Sequence, residues 1–262
     1  MSNLAPSELR PLAHIGILCW EAGKVPRGLV QLEALRGNST NPLTYPFPVA
    51  FRRVEGACWE TILEHPDPEV HRRMVEAGRE LVASGIRGVT TSCGFNILLQ
   101  QRLAEALGVP VFTSSLLQVP WVARLLGPRA RIGVLTAKED ALTEEHLRCA
   151  GIDPASTHIR GLDACPQWSR IFRFPEEPVD LEAIRKEVVD TALDTLKTAP
   201  DIGAFVLECT DLPPFAEAIR RATGRPVFDF VTLVGWVHSA LGIQTPDPVG
   251  GTRTFGHGRH GS

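Results

Sequence analysis

The sequence predicts an α/β protein made of two pseudo-symmetric Rossmann-like lobes, each on a parallel sheet, with an active-site cleft between them. Two observations carry this expectation. Short apolar runs alternate with segments of helical period, the pattern of βαβ units. The chain also repeats itself: Ala-Leu-Gly-Val-Pro-Val-Phe at 106–112 returns as Ala-Thr-Gly-Arg-Pro-Val-Phe at 222–228, 116 positions later. The same shift lays Cys93 over Cys209, and His-Ile-Gly-Ile-Leu at 14–18 matches Arg-Ile-Gly-Val-Leu at 131–135.

Taken in order, the apolar runs place strands at 14–19, 49–54, 86–92, 110–113, 131–136, 157–161, 203–208 and 226–229. The segment 68–84 is read as a helix, because Val70, Met74, Val75, Leu81 and Val82 recur on one face. Its counterpart, 180–197, opens on Asp180 as an N-cap. Helices at 96–107 and 213–223 follow the two cysteines and end at Gly108 and Gly224, suited to left-handed caps. Between 21 and 48, glycine and proline recur too often for regular structure, so a long loop is expected there. The lobes are then 1–118 with 226–245, and 119–225, with 246–262 as a disordered tail.

Composition narrows the function. The 27 basic and 30 acidic residues are balanced, with no basic block, which argues against nucleic acid as the partner. No apolar run reaches the roughly 20 residues of a membrane span, and the first residues lack a signal-peptide pattern, so a cytoplasmic location is expected. The six cysteines show no Cys-x-x-Cys spacing, so neither metal nor disulfide is expected, and Cys19, Cys58, Cys149 and Cys165 read as packing or surface thiols.

Cys93 and Cys209 differ from the other four. Each ends an apolar strand and precedes a helix, where ligands gather in open parallel sheets and where backbone N–H groups favour an anion and a thiolate. Ser92, Gly94 and Asn96 on one side, and Thr210 and Asp211 on the other, would surround a small carboxylate. Two thiols on opposite faces of one carbon can remove a proton from one side and return it to the other. Equivalent core positions in a duplicated fold would account for the pair equally simply.

At these residues the chain resembles a known family. Thr-Thr-Ser-Cys-Gly-Phe (90–95) and Val-Leu-Glu-Cys-Thr-Asp-Leu-Pro (206–213) are similar to the two cysteine motifs of the cofactor-independent aspartate/glutamate racemase superfamily, with its hydantoin racemase and arylmalonate decarboxylase relatives. The resemblance spans roughly 14–242. It implies Cys93 and Cys209 as the acid/base pair of a racemase or epimerase of a small carboxylate, with no cofactor and with dimers common. A decarboxylase or cis-trans isomerase using one cysteine, or a bilobal binding protein, are the alternatives. Gly94-Phe95 stands where amino-acid racemases commonly carry Asn-Thr, and Phe95 and Trp20 imply a more apolar pocket. Thr136, Ser114 and Asn41 are further candidates for substrate contact, each of which also reads as a cap or turn residue.

Overall fold

The structure is a computed structural model and describes residues 13–242. Within them, two parallel sheets form. The first has the order β2-β1-β3, from β1 (Ile15–Cys19), β2 (Val49–Arg53) and β3 (Gly88–Thr91). The second has the order β5-β4-β6-β7, from β4 (Arg131–Thr136), β5 (Thr157–Gly161), β6 (Ile202–Leu207) and β7 (Val227–Phe228). The repeat seen in sequence is therefore a repeat of pairing. β1 lies between β2 and β3 as β4 lies between β5 and β6, and each reactive-cysteine candidate stands two residues past its strand.

Helices α1 (Arg27–Glu33), α2 (Pro68–Ala83), α3 (Gln100–Leu107), α4 (Val119–Leu126) and α5 (Glu144–Cys149) are followed by α6 (Pro166–Arg173), α7 (Leu181–Thr198), α8 (Ala216–Thr223) and α9 (Phe230–Ala240). The two long ones start as their sequences dictate. Asp67 accepts from the Glu69 amide at 2.8 Å, and Asp180 from the Glu182 and Ala183 amides at 3.0 and 3.1 Å. Val70, Met74, Val75 and Leu81 bury the α2 stripe. Gly108 and Gly224 take φ of 64° and 65°, closing α3 and α8 with matching left-handed caps.

The Ile-Gly-Ile/Val motif of both first strands has a packing cause. A Cβ on Gly16 would lie 2.8 Å from Leu81 Cδ1, and one on Gly133 would lie 2.6 Å from Phe205 Cε1. Each glycine lets a large neighbour settle on a strand that is buried on both faces. On the other face of β1, Ile15, Ile17 and Cys19 pack with Phe112, Phe230, Leu233 and Val234.

Three sequence expectations change. Residues 110–113 contribute a single bridge, Val89 to Val111, instead of a full strand. The strand expected at 226–229 with the first lobe pairs with β6 of the second sheet, and only α9 returns to pack on the first. The stretch 21–48 contains a helix, α1. Gly28 allows it to press so close to its neighbours that a Cβ would lie 2.9 Å from Ile171 Cγ1, and Leu29 and Leu32 are buried beneath it. Tertiary packing, not propensity, makes so short a helix. The tail 246–262 lies outside the described residues.

Candidate active site

The two cysteine turns meet where the sheets abut. Thr210 Oγ1 donates to the Ser92 carbonyl at 2.6 Å, Ser115 Oγ to the Leu207 carbonyl at 2.5 Å, and Asn38 Nδ2 to Asp211 Oδ1 at 2.7 Å. These bonds tie the loops after β1, β3 and β6 into one buried floor. Above it is a small, partly open cavity. Ser92, Cys93 and Gly94 reach it from one turn, and Glu208, Cys209, Thr210 and Asp211 from the other. Trp20, Trp59, Phe95 and Phe172 form aromatic walls, with the Trp59 and Phe172 rings 3.9 Å apart at 31°. Among the described residues, no lysine, arginine or histidine lines it.

The electrostatics come from that composition. Burial pushes the Cys93 and Cys209 thiols well above the usual range, and the carboxylates of Glu208 and Asp211 push further in the same direction. The helix-start effect expected from sequence is present but outweighed. The Phe95 and Asn96 amides favour a Cys93 thiolate, yet Cys93 leads into a tight 3-10 turn, Gly94–Leu99, with α3 starting only beyond it. Both thiols are therefore neutral near pH 7. Cys209 Sγ donates weakly to Asp211 Oδ2 at 3.8 Å.

Burial also raises both acids. Glu208 is wholly enclosed and is pushed up to about 7, although Thr136 Oγ1 donates to its Oε2 at 2.8 Å. Its Oε1 has no hydrogen-bond partner. Asp211, part-buried, is likewise pushed up to about 7 by burial, and it too lines the cavity.

Of the residues singled out in the sequence, Ser92, Cys93, Gly94, Phe95, Cys209, Thr210 and Asp211 line one cavity. The rest lie outside it. Asn41 caps the turn Pro42–Thr44, accepting from Leu43 and donating to Ala34. Ser114 caps the turn Ser115–Gln118 through the Leu116 amide. Asn96 is buried behind the cysteine turn, and Thr136 supports Glu208 from behind. Glu208, Trp59 and Phe172 are additions that sequence reasoning misses. A charged residue ending the apolar run of β6 is the available signal for the first, whereas Trp59 and Phe172 are placed only by tertiary packing. Among the described residues, no group of three or more His, Cys, Asp or Glu side chains is arranged to hold a metal ion.

This duplicated two-sheet α/β architecture is a fold shared with arylmalonate decarboxylase and with several racemases. Unliganded arylmalonate decarboxylase superposes with a TM-score of 0.54 at 20% identity, covering 88% of this chain and 92% of that one. Allantoin racemase from Pseudomonas fluorescens gives 0.52 at 18%, covering 86% and 90%. An aspartate racemase homologue from Pyrococcus horikoshii OT3 gives 0.57 at 14%, covering 88% and 100%. These likenesses define the fold.

In sequence, the chain is similar to dimethylsulfoniopropionate lyases. It is 32% identical over 207 residues to dimethylsulfoniopropionate lyase 6 of Emiliania huxleyi (strain CCMP1516), across 75% of this chain and 53% of that protein. It is 29% identical over 215 residues to the enzyme of Durusdinium sp. clade D, across 78% and 71%. The chain thus spans about half the length of the Emiliania relative. No family model matches it.

Proposed function

We propose that this chain is a lyase that cleaves a small sulfonium carboxylate of the dimethylsulfoniopropionate type, by removing a proton from the carbon next to the carboxylate. The observation that carries this reading is the makeup of the cavity: two thiols, two buried acids and four aromatic rings, with no cationic side chain among the described residues. An aspartate or glutamate substrate would bring a second carboxylate with nothing to balance it. A compact onium cation suits aromatic faces and the Asp211 carboxylate, both of which attract positive charge. The relatives named above carry the corresponding activity in their names.

The reaction asks one cysteine to act as base. A bound cation beside the thiols offsets the burial that holds them neutral, and Asp211 stands ready to accept the Cys209 proton. The thiolate then takes the α-proton. The C–H electron pair becomes the carbon–carbon double bond, and the β-carbon–sulfur bond breaks with its pair leaving on sulfur. Dimethyl sulfide and acrylate result, and the proton passes from the thiol to water.

The test is headspace detection of dimethyl sulfide from dimethylsulfoniopropionate, with wild type, Cys93→Ala and Cys209→Ala run side by side. The trimethylammonio isostere, which lacks a good leaving group, should compete with substrate without releasing amine. Absence of dimethyl sulfide from active-site-intact protein would rule out the lyase reading.

A second reading is favoured by one feature, the equivalence of Cys93 and Cys209 in the repeat. A pair so placed serves inversion of a carbon, as in a racemase or epimerase. Recovered substrate from heavy water separates the two: inversion with α-deuterium and no elimination would support the racemase.

A further inference from the structure

Beside the candidate cavity lies a second small chamber. Trp20, Leu29, Ser92 and Asp211 line both spaces and so form the partition between them. Glu33, Thr40 and Val25 complete the chamber. The two spaces differ in character. Four rings wall the cavity, whereas the chamber gathers two carboxylates and two hydroxyls around a single aromatic face. It has room for about one ordered water, with enough polar groups around it to hold one.

Asp211 belongs to both spaces. Its Oδ1 accepts from Asn38 Nδ2 at 2.7 Å, and its Oδ2 from the Cys209 thiol at 3.8 Å. A proton leaving Cys209 therefore lands on Oδ2. Asn38 is itself fixed, because the Thr40 amide and hydroxyl both donate to its Oδ1, at 2.9 and 3.0 Å. Glu33, the last residue of α1, is the second acid of the chamber and reaches the surface, its side chain 20% exposed. Arg53 Nη2 lies 3.5 Å from Glu33 Oε2, and Arg53 Nη1 donates to the Trp20 carbonyl at 3.2 Å, bracing the partition. The titratable and charged groups that bear on Asp211 are thus Glu208 and Cys209 from its own turn, Cys93 from the facing turn and Glu33 from α1, with Arg53 beyond.

We propose that the chamber is the proton outlet of this site: Asp211 hands the proton it takes from Cys209 to a water in the chamber, and Glu33 receives it on the way to solvent. The source of the proton rests on the lyase reading, and its route on the shared lining. That elimination turns a zwitterion into a neutral sulfide, an acrylate anion and one proton, so each turnover must export a proton before Asp211 can accept another. Only O–H bonds change along the route. The Asp211 Oδ2–H bond breaks as the water gains a proton, the water passes a proton to a Glu33 oxygen, and Glu33 releases it to bulk water. Every electron pair stays on oxygen. Ligand then uses the aromatic cavity, and the proton leaves on the other side of the partition.

The experiment uses the full chain with Glu33→Gln, which removes the outer acid, and Val25→Phe, which fills the chamber. At pH 8, above the value of about 7 to which Asp211 is raised, the acid starts ionised and one turnover needs no export. In dilute buffer, steady-state dimethyl sulfide release should fall about tenfold or more in each variant, while the first turnover in rapid-quench runs keeps the wild-type rate. Added imidazole should restore Glu33→Gln, because a small buffer carries the proton that Glu33 no longer accepts, and should leave wild type unchanged. A crystal structure of the wild-type chain should hold an ordered water in the chamber, hydrogen-bonded to Asp211.

Wild-type steady-state rates in both variants would overturn the proposal. So would a loss already complete in the first turnover and unmoved by imidazole, which is what a merely structural role predicts, and so would a chamber without water. If Val25→Phe does not fold, Glu33→Gln decides alone. If wild type released no dimethyl sulfide but exchanged its substrate's α-proton in heavy water, and Glu33→Gln slowed that exchange until imidazole was added, the lyase reading would fail and the outlet would stand.

Discussion

Gly94 and Glu208 face each other across the junction of the lobes, so close that a methyl group on Gly94 would stand 2.1 Å from Glu208 Oε1 and 2.4 Å from the Glu208 carbonyl oxygen. Neither residue makes sense alone: an enclosed acid needs a hollow to lie in, and a glycine after a cysteine otherwise only weakens its turn. The Gly94-Phe95 departure from the Asn-Thr of amino-acid racemases thus has a physical partner in the other half of the chain. Gly94→Ala should destabilise the fold by about 1–3 kcal/mol in chemical denaturation, through overpacking. Glu208→Gly in the same chain should recover part of that loss and not all, because the carbonyl contact remains. Full additivity of the two changes would show that the side chains do not meet.

The cysteines are the most direct target. Cys93→Ala and Cys209→Ala should each leave the thermal transition nearly in place, since each removes one sulfur from the edge of an existing cavity. At least one should reduce turnover by about 10²–10⁴-fold, the usual worth of a positioned acid or base. Loss confined to one variant would assign the base of an elimination, and equal loss in both would favour proton transfer on two faces.

Stability should respond to pH in a direction set by the buried acids. Glu208 is held at about 7, above its ordinary carboxyl value of 4.5, and Asp211 at about 7, above 3.8. Below the ordinary carboxylate range both are protonated folded and unfolded, and their contribution is complete. As pH rises from there to about 7 the unfolded chain releases these protons while the folded chain keeps them, so stability falls and then levels off. For Glu208 the loss is on the order of 3 kcal/mol. Glu208→Gln should flatten this slope in urea titrations between pH 5 and 8, and an unchanged slope would show that Glu208 does not hold its proton.

The aromatic wall should discriminate by charge. Trp59→Leu and Phe172→Leu should each raise KM for the sulfonium substrate by about 2–30-fold, corresponding to a cation–π contribution of about 0.5–2 kcal/mol. Affinity for acrylate, which lacks the cation, should move much less. A parallel loss for both ligands would make the wall a steric boundary only.

The duplicated halves are legible in sequence because a repeated fold repeats its constraints: the glycine under Leu81 recurs under Phe205, and the cap of α3 recurs at α8. The cysteine pair is legible for the same reason. Symmetry cannot reveal features with no counterpart in the other half. Glu208 replaces a serine, α1 forms only because α6 lies against Gly28, and Trp59 and Phe172 converge from segments far apart in sequence. Asn41 and Ser114 satisfy both a cap pattern and a ligand pattern, and local backbone geometry decides for the cap. Thiol acidity is overstated by sequence because a helix start is visible there, whereas the burial that overrides it is a property of the assembled floor.

The bonds from Thr210 to Ser92, from Ser115 to Leu207 and from Asn38 to Asp211 stitch the two cysteine turns to one another across both halves. The rings of Trp20, Trp59 and Phe172 stand on separate segments outside that stitching. Under the proposed function, the proton-moving groups and three of the four rings that meet the ligand are thus written on different parts of this chain. Descendants could exchange those three rings for other walls and so take new ligands, while inheriting the bonded floor intact.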